Sequence, residues 1–331
     1  MKRIGHLFHQ IHEPENLRLA VSRALRGKRN RPDSAEYTAN LDTNLSRLSR
    51  QIATGTVALG RCHQFLIHDP KQRLITAPCF EERVLHHAIM NVCEPHFDRW
   101  LISDTYACRT GKGREAAVLR AQHFAQQSEA FLKLDMRHYF ASIDRGVLLA
   151  HLARRFKDQR LLQLFERILK AHGETGVGLP IGSLTSQHFA NFHLSWFDRF
   201  VKEELRCSGY VRYMDDVLIW GTSPRELRDI RDRCVTFLSR ELRLIPKPPF
   251  INRSALGAEF LGCRVFPTHV ILSRQARVRF RRQLTRLEAE FTNGLIDEQE
   301  LQQRATALVA FTRAAGASSW LFRQAVLQAS R

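Results

Sequence analysis

Two short apolar arms meet at adjacent carboxylates between Gly209 and Trp220. The run is Gly209-Tyr210-Val211-Arg212-Tyr213-Met214-Asp215-Asp216-Val217-Leu218-Ile219-Trp220. β-Branched and aromatic residues in runs of this length predict a hairpin with the carboxylates at its tip. Upstream, Phe131-Leu132-Lys133-Leu134 predicts a buried strand over 131–136 that carries Asp135 to a sheet edge. Helical periodicity appears elsewhere. Leu41, Leu45, Leu48 and Ile52 share one helix face, and Gly55 is its stop signal. Further helices are expected near Val84 to Phe97, at 113–128 after a Gly-Lys-Gly turn, at 144–156 and at 158–171. Others are expected from about Thr185 to Arg206 and at 224–241. Pro246, Pro248 and Pro249 predict a bend, followed by two strands around 259–273. The stretch 274–330 reads as helical, with Val278 and Leu284 available for the core. Neither an internal repeat nor a low-complexity tract interrupts this pattern.

Asp135, Asp215 and Asp216 give this pattern its chemistry. An isolated Asp-Asp pair is most often a polar turn. Here it joins two apolar strands, and carboxylates resist burial unless their charge is compensated. Hard divalent cations supply that compensation, and Mg²⁺ suits a few carboxylates plus substrate phosphates. Three carboxylates meet the needs of two-metal phosphoryl transfer, in which one metal activates a hydroxyl and the other stabilises a leaving oxygen. The anionic transition state is then stabilised by positioning and electrostatics.

Composition narrows the partners. The 331 residues can bury a large core in one multi-lobed unit. Lys plus Arg number 51 against 33 Asp plus Glu, so the net charge of +18 favours a polyanion, with nucleic acid ahead of an anionic membrane. No apolar run reaches spanning length and no signal peptide opens the chain, so a cytoplasmic protein with no membrane partner is expected. Seven scattered cysteines show no C-x-x-C, which argues for reduced thiols over zinc or a disulfide framework. Arg23, Arg26, Lys28, Arg29 and Arg31 form a basic cluster that reads either as an RNA or partner contact or as a solvated face. Arg274, Arg277, Arg279, Arg281, Arg282 and Arg286 give the last segment a basic surface. It could track duplex phosphates without sequence preference, or be a solvated helix. His86-His87 lacks ligand spacing and reads as structural, and Asp104 and Asp144 read as turn or capping residues.

Tyr213-Met214-Asp215-Asp216 resembles the Y-x-D-D box of reverse transcriptases, and Asp135 resembles their first catalytic aspartate. Gly178-Leu179-Pro180-Ile181-Gly182-Ser183-Leu184-Thr185-Ser186-Gln187 is similar to the segment between them, and Phe260-Leu261-Gly262 to the primer grip. Asp69-Pro70-Lys71-Gln72-Arg73-Leu74-Ile75 is similar to the fingers segment that meets the triphosphate. These motifs stand in family order over about residues 63 to 272. Within the family the chain most resembles the enzymes of diversity-generating retroelements, which are related to group II intron reverse transcriptases. Val177-Gly178-Leu179-Pro180-Ile181-Gly182-Ser183-Leu184-Thr185-Ser186-Gln187 with Phe189-Ala190-Asn191 carries that likeness. So do Asp104-Thr105-Tyr106-Ala107-Cys108-Arg109 and Phe140-Ala141-Ser142-Ile143-Asp144.

The resemblance implies an α+β right-hand polymerase with an antiparallel palm sheet backed by helices and a helical thumb. It implies a basic N-terminal helical extension at 1–58 and fingers at 59–130 with 145–184 contributing. The palm would be 131–144 and 185–272, and the thumb 273–331. It implies two Mg²⁺ on Asp135, Asp215 and Asp216 with the Met136 carbonyl. A dNTP would be met by Lys71, Arg73, Phe140, Ile181 and Gln187, and the primer by Phe260, Leu261 and Gly262. Arg109, Arg274, Arg277, Arg281 and Arg282 would contact nucleic acid. Phe140 matches the aromatic steric gate against a ribose 2′-hydroxyl, although a core phenylalanine is the plainer reading. Ile181 stands where retroviral relatives carry a glutamine. Loss of that polar contact suggests an error-prone enzyme, with errors at template adenines that diversify a target gene; isoleucine could instead only pack the pocket. Expected partners are a template RNA, an RNA/DNA primer duplex, and a small basic helical-bundle protein of the accessory variability determinant type. The chain is expected to carry no RNase H, integrase or endonuclease domain. Group II intron-like, retron-like and antiphage defence enzymes are alternatives, as is a non-enzymatic RNA-binding relic.

Overall fold

The computed structural model describes residues 3–68, 72–171, 173 and 175–329. The chain divides into two compact units. One comprises Met1–Ile102, Arg137–Phe197 and Phe237–Ile245; the other comprises Ser103–Met136, Asp198–Thr236 and Pro246–Arg331.

The first unit is mainly helical. Helices Pro14–Ala24, Leu41–Thr54 and Phe80–Asp98 bury Leu17, Leu48, Ile52, Val84, Leu85 and Ile89 against one another. Gly55 ends its helix in the left-handed region at φ 72°, as a C-terminal stop glycine does. Helices Arg145–Arg155 and Gln159–Lys170 begin where Asp144 and Asp158 accept from Val147 N–H and Leu161 N–H, so both aspartates are N-caps. An aromatic core of Phe97, Phe156, Phe165, Phe189 and Phe192 has ring centroids 5.0–6.2 Å apart. The sole hairpin of this unit among the described residues pairs β1 (Cys62–Ile67) with β2 (Arg73–Pro78). The helix expected from Thr185 to Arg206 is shorter. It runs Leu184–His193, breaks at Leu194, and is followed by Ser195–Arg199 and a π-helical turn at Phe200–Glu204.

The second unit holds two antiparallel sheets. Strands β3 (Ala130–Leu134), β4 (Gly209–Tyr213), β5 (Asp216–Gly221) and β6 (Phe250–Arg253) lie in the order β4-β5-β3-β6. The smaller sheet holds β7 (Ala258–Phe260), β8 (Cys263–Val265) and β9 (Val270–Leu272) in sequence order. Thus three short strands replace the two expected around 259–273, and β6 was not foreseen. Helix Arg114–Gln127 backs the large sheet, with Val118, Ala121 and Phe124 in a core shared with Phe131, Val211, Leu218, Trp220, Phe260 and Leu272. Helices Arg274–Thr292, Glu298–Thr312 and Gly316–Ala329 complete the unit. Ala276, Phe280 and Leu287 are the buried face of the first of these, whereas Val278 is 59% exposed, which corrects its expected place in the core. Among the described residues no helix is long and apolar enough to cross a membrane, and all seven cysteines are free thiols.

Candidate active site

The large sheet brings Asp135 and the adjacent pair Asp215-Asp216 to one edge. Register pairs Tyr213 with Asp216 across the hairpin and Leu134 with Val217 between β3 and β5. Continuing that register sets Asp135, just past β3, beside Asp216. Met214 and Asp215 form the two-residue tip, and Met214 adopts φ 57°. A left-handed, non-glycine residue stores about 1 kcal/mol or more of strain, a cost that tends to persist where the backbone has a task.

Two lysines meet these carboxylates. The Lys247 ammonium donates to Asp135 Oδ2, and the Lys247 backbone N–H donates to the Asp135 carbonyl at 2.8 Å. Lys133 lies two residues before Asp135 and so on the same strand face. Its ammonium stands 3.4 Å from Asp216 Oδ1 and donates to the Glu259 carbonyl at 2.5 Å. At 3.4 Å the first contact is an ion pair and not a good hydrogen bond, and Asp216 Oδ1 is a buried oxygen with no hydrogen-bond donor. Burial is the main reason the Asp216 carboxyl is pushed up to about 6. Its neighbours Asp135 and Asp215 add to the shift, and Lys133 opposes it.

These residues fit a divalent cation by donor chemistry. All three side chains offer hard oxygens, Asp216 Oδ1 is met only by the Lys133 ammonium at ion-pair distance, and mutual repulsion favours a cation between them. Among the described residues, no three His, Cys, Asp or Glu side chains already close around a common point. Met136 is buried, and its backbone forms an isolated bridge with Pro246.

Behind the tip lies a buried ion pair. Arg212 and Asp198 are both 0% exposed. Arg212 Nε and Nη2 donate to the two Asp198 oxygens at 2.6 Å, and Nη1 donates to the Met214 carbonyl at 2.9 Å. The hydroxyls of Thr105 (3.1 Å) and Tyr210 also donate to Asp198.

The remaining candidates of the second unit sit apart in sequence. Phe260, Leu261 and Gly262 form the β7-β8 turn, with φ 51° at Leu261 and 76° at Gly262, the two positive values that a tight hairpin turn takes. Arg114 holds this turn. Its Nε donates to the Leu261 carbonyl at 2.7 Å, its Nη1 to the Phe311 carbonyl at 2.5 Å, and its guanidinium lies 4.2 Å from the Phe311 ring centroid. Arg274, Arg277, Arg281 and Arg282 are exposed on their helix. Arg109 is half-buried, and its Nη1 donates to the Thr105 carbonyl at 3.0 Å.

The first unit gathers the other group. Thr76 N–H on β2 donates to the Ile181 carbonyl at 2.7 Å. Gly182 has φ 121°, and a Cβ there would stand 2.8 Å from the Thr76 carbonyl oxygen, so only glycine permits this approach. Leu179 N–H donates to the Phe140 carbonyl at 2.7 Å. Arg73 opens β2 and is exposed, Phe140 and Ile181 are half-buried, and Gln187 is exposed in the first turn of Leu184–His193. Lys71 lies outside the described residues. A buried chain fixes the start of that helix: Glu82 to His86 at 3.4 Å, His86 to Thr185 at 2.8 Å, Thr185 to Ser183 at 3.1 Å. His86 is therefore structural, as expected.

Sequence reasoning passed over Lys133, Lys247, Arg114, Arg212 and Asp198. Arg212 had a signal, because a charge at the centre of an apolar strand must be paired if buried. Lys133 had another in its two-residue offset from Asp135.

A family model described as "Reverse transcriptase (RNA-dependent DNA polymerase)" matches residues 68–263. The Group II intron-encoded protein LtrA of Lactococcus lactis subsp. cremoris is 23% identical over 138 residues, 40% of this chain and 23% of LtrA. The COX1/OXI3 intron 1 protein of Saccharomyces cerevisiae is 20% identical over 169 residues, 48% of this chain and 20% of that protein. The chain thus spans about a fifth of the length of these relatives. Apo telomerase from Candida tropicalis superposes with a TM-score of 0.53 at 10% identity, covering 88% of this chain and 63% of that one. Telomerase from Candida albicans, solved with a TWJ fragment of telomeric RNA, gives 0.50 at 9% identity, covering 81% and 56%. At these identities the likeness concerns the fold, which is the α+β right-hand polymerase fold.

Proposed function

Because the chain belongs to the reverse transcriptase (RNA-dependent DNA polymerase) family, we propose that it extends a primer with deoxynucleotides on an RNA template. The observation that carries this reading is the convergence of Asp135, Asp215 and Asp216 at one edge of an antiparallel sheet, with one carboxyl pushed up to about 6 by burial and its neighbours. Asp135, Asp215, Asp216 and the Met136 carbonyl would hold two Mg²⁺, which supply Lewis acidity for attack of the primer 3′-hydroxyl on the dNTP α-phosphate and loss of pyrophosphate. Lys133 and Lys247 offset part of the repulsion among the carboxylates. The Leu261–Gly262 turn, anchored by Arg114, supports the primer strand. Arg274, Arg277, Arg281 and Arg282 follow duplex phosphates in a salt-sensitive way, and Arg109 adds a template contact. Lys71 and Arg73 meet the triphosphate, with Gln187 near the nucleotide.

The division into an extension (1–58), fingers (59–130 with 145–184), palm (131–144 and 185–272) and thumb (273–331) belongs to the same proposal. So do a cytoplasmic location and a small basic accessory protein.

Phe140 is assigned the steric gate. Phe140→Val is expected to raise ribonucleotide incorporation at least about tenfold, a loss of roughly 1.4 kcal/mol of discrimination. Competition between rNTP and dNTP in single-nucleotide extension measures it, and unchanged sugar selectivity removes Phe140 from the role.

The finer reading is a diversifying enzyme, error-prone at template adenines, with Ile181 at the nucleotide. Ile181→Gln is expected to lower errors at template adenines more than at other bases when cDNA is sequenced; an unchanged adenine spectrum refutes it. The likeness to LtrA favours a second reading, a group II intron-like enzyme, which predicts an error spectrum without adenine bias.

A further inference from the structure

Arg212 occupies the middle of β4 with its charge fully buried against Asp198. A buried ion pair is weak support for a fold, because well-packed apolar residues of similar volume often hold the same position as well or better. The third donor of this arginine suggests another task. While Nε and Nη2 grip Asp198 as a fork, Nη1 reaches the Met214 carbonyl at 2.9 Å. That oxygen belongs to the planar peptide unit joining Met214 to Asp215. Fixing it sets ψ of Met214 and φ of Asp215, and therefore the direction in which the Asp215 and Asp216 side chains leave the tip. The anchor itself cannot swing, because Thr105 and Tyr210 hold the Asp198 carboxylate from its other sides. The left-handed Met214, at φ 57°, is the residue this contact restrains.

We propose that Arg212 is a positioning residue, which transmits the rigidity of buried Asp198 to the Met214–Asp215 peptide and so pre-aligns the hairpin carboxylates for divalent cations. Arg212 touches neither metal nor substrate in this role. The catalytic consequence rests on the polymerase reading above, whereas the effect on cation binding does not.

Arg212→Lys keeps the positive charge beside Asp198. A lysine lacks the planar fork, so it can satisfy Asp198 or the Met214 carbonyl but not both. Groups that orient metal ligands typically contribute about 10–100-fold to metal affinity or activity. The control is Trp220→Phe, a core change in β5 where the Trp220 ring packs 5.6 Å from Phe124, far in register from the tip.

The experiment uses full-length wild type and both variants. Free Mn²⁺ is followed by electron paramagnetic resonance without nucleic acid, the Mg²⁺ dependence of primer extension is recorded, and thermal unfolding is measured in parallel. Arg212→Lys is expected to weaken Mn²⁺ binding and raise the half-saturating Mg²⁺ by about tenfold or more. KM for dNTP at saturating metal should change little. Trp220→Phe is expected to lower the unfolding temperature and shift neither metal constant. Wild-type Mn²⁺ affinity in Arg212→Lys overturns the proposal, and so does an equal metal shift in Trp220→Phe. A wild type that binds no Mn²⁺ overturns it too. A wild type that binds Mn²⁺ but extends no primer, with or without the accessory protein, defeats the polymerase reading, and the Mn²⁺ comparison still decides the role of Arg212.

Discussion

Asp216→Asn is expected to cut RNA-templated primer extension by about 10³-fold or more while leaving the protein at least as stable as wild type. The loss follows if metal ions supply several kcal/mol of transition-state stabilisation through these oxygens, since each 1.4 kcal/mol is tenfold in rate. The stability follows from charge. Burial and the adjacent Asp135 and Asp215 raise the Asp216 carboxyl from the ordinary 3.8 to about 6. A raised carboxyl binds its proton more tightly folded than unfolded, so it penalises the fold once ionised. The penalty is absent below about pH 4, grows between 4 and 6, and is complete above 6, where it is on the order of 3 kcal/mol. Asparagine removes it. In chelator at pH 7.5, urea unfolding should therefore find Asp216→Asn equal to or more stable than wild type, and at pH 4 the difference should vanish. A variant that is less stable at pH 7.5 would show that the Lys133 pairing outweighs the repulsion.

Asp198→Leu is the second large effect, and it falls on stability. It strands the Arg212 guanidinium in the core, and breaking a buried pair from one side costs about 3–5 kcal/mol. It also leaves the Thr105 and Tyr210 hydroxyls without their acceptor. The double variant Asp198→Leu, Arg212→Met removes the uncompensated charge and is expected to recover part of that loss. Primer extension should not recover, because the Met214 carbonyl has lost its donor. Denaturant midpoints and extension rates on the three proteins check both statements. Recovered activity in the double variant would mean that the pair only fills space.

Much of this was legible in the sequence, for physical reasons that also mark the limits. The Y-x-D-D hairpin could be read because apolar arms around carboxylates fit few other arrangements. Asp144 could be read as a cap because an aspartate before a periodic run has a local task; the cap at Asp158 came from the structure. Strand β6 could not. Only Phe250–Arg253 is paired, the segment follows Pro248 and Pro249, and its pairing with β3 is set by register more than a hundred residues away. The same distance hid Lys247 and its pairing with Asp135. Val278 was misplaced because its helix carries arginines on most turns, so apolar residues alone do not define the buried stripe; small Ala276 with Phe280 and Leu287 does. Arg212, a charge within an apolar strand, signals that it needs a partner but not which one. Only the fold brings Asp198 beneath it.

RNA-templated primer extension with the full chain, Mg²⁺ and dNTPs, followed by cDNA sequencing, tests directly whether this protein is a polymerase. It would be run with and without a co-expressed small basic accessory protein, with Asp215→Asn as the inactive control. Wild type is expected to make cDNA complementary to the RNA, and Asp215→Asn none. A folded wild-type protein that binds the template and primer but incorporates no deoxynucleotide, with or without the accessory protein, would contradict it.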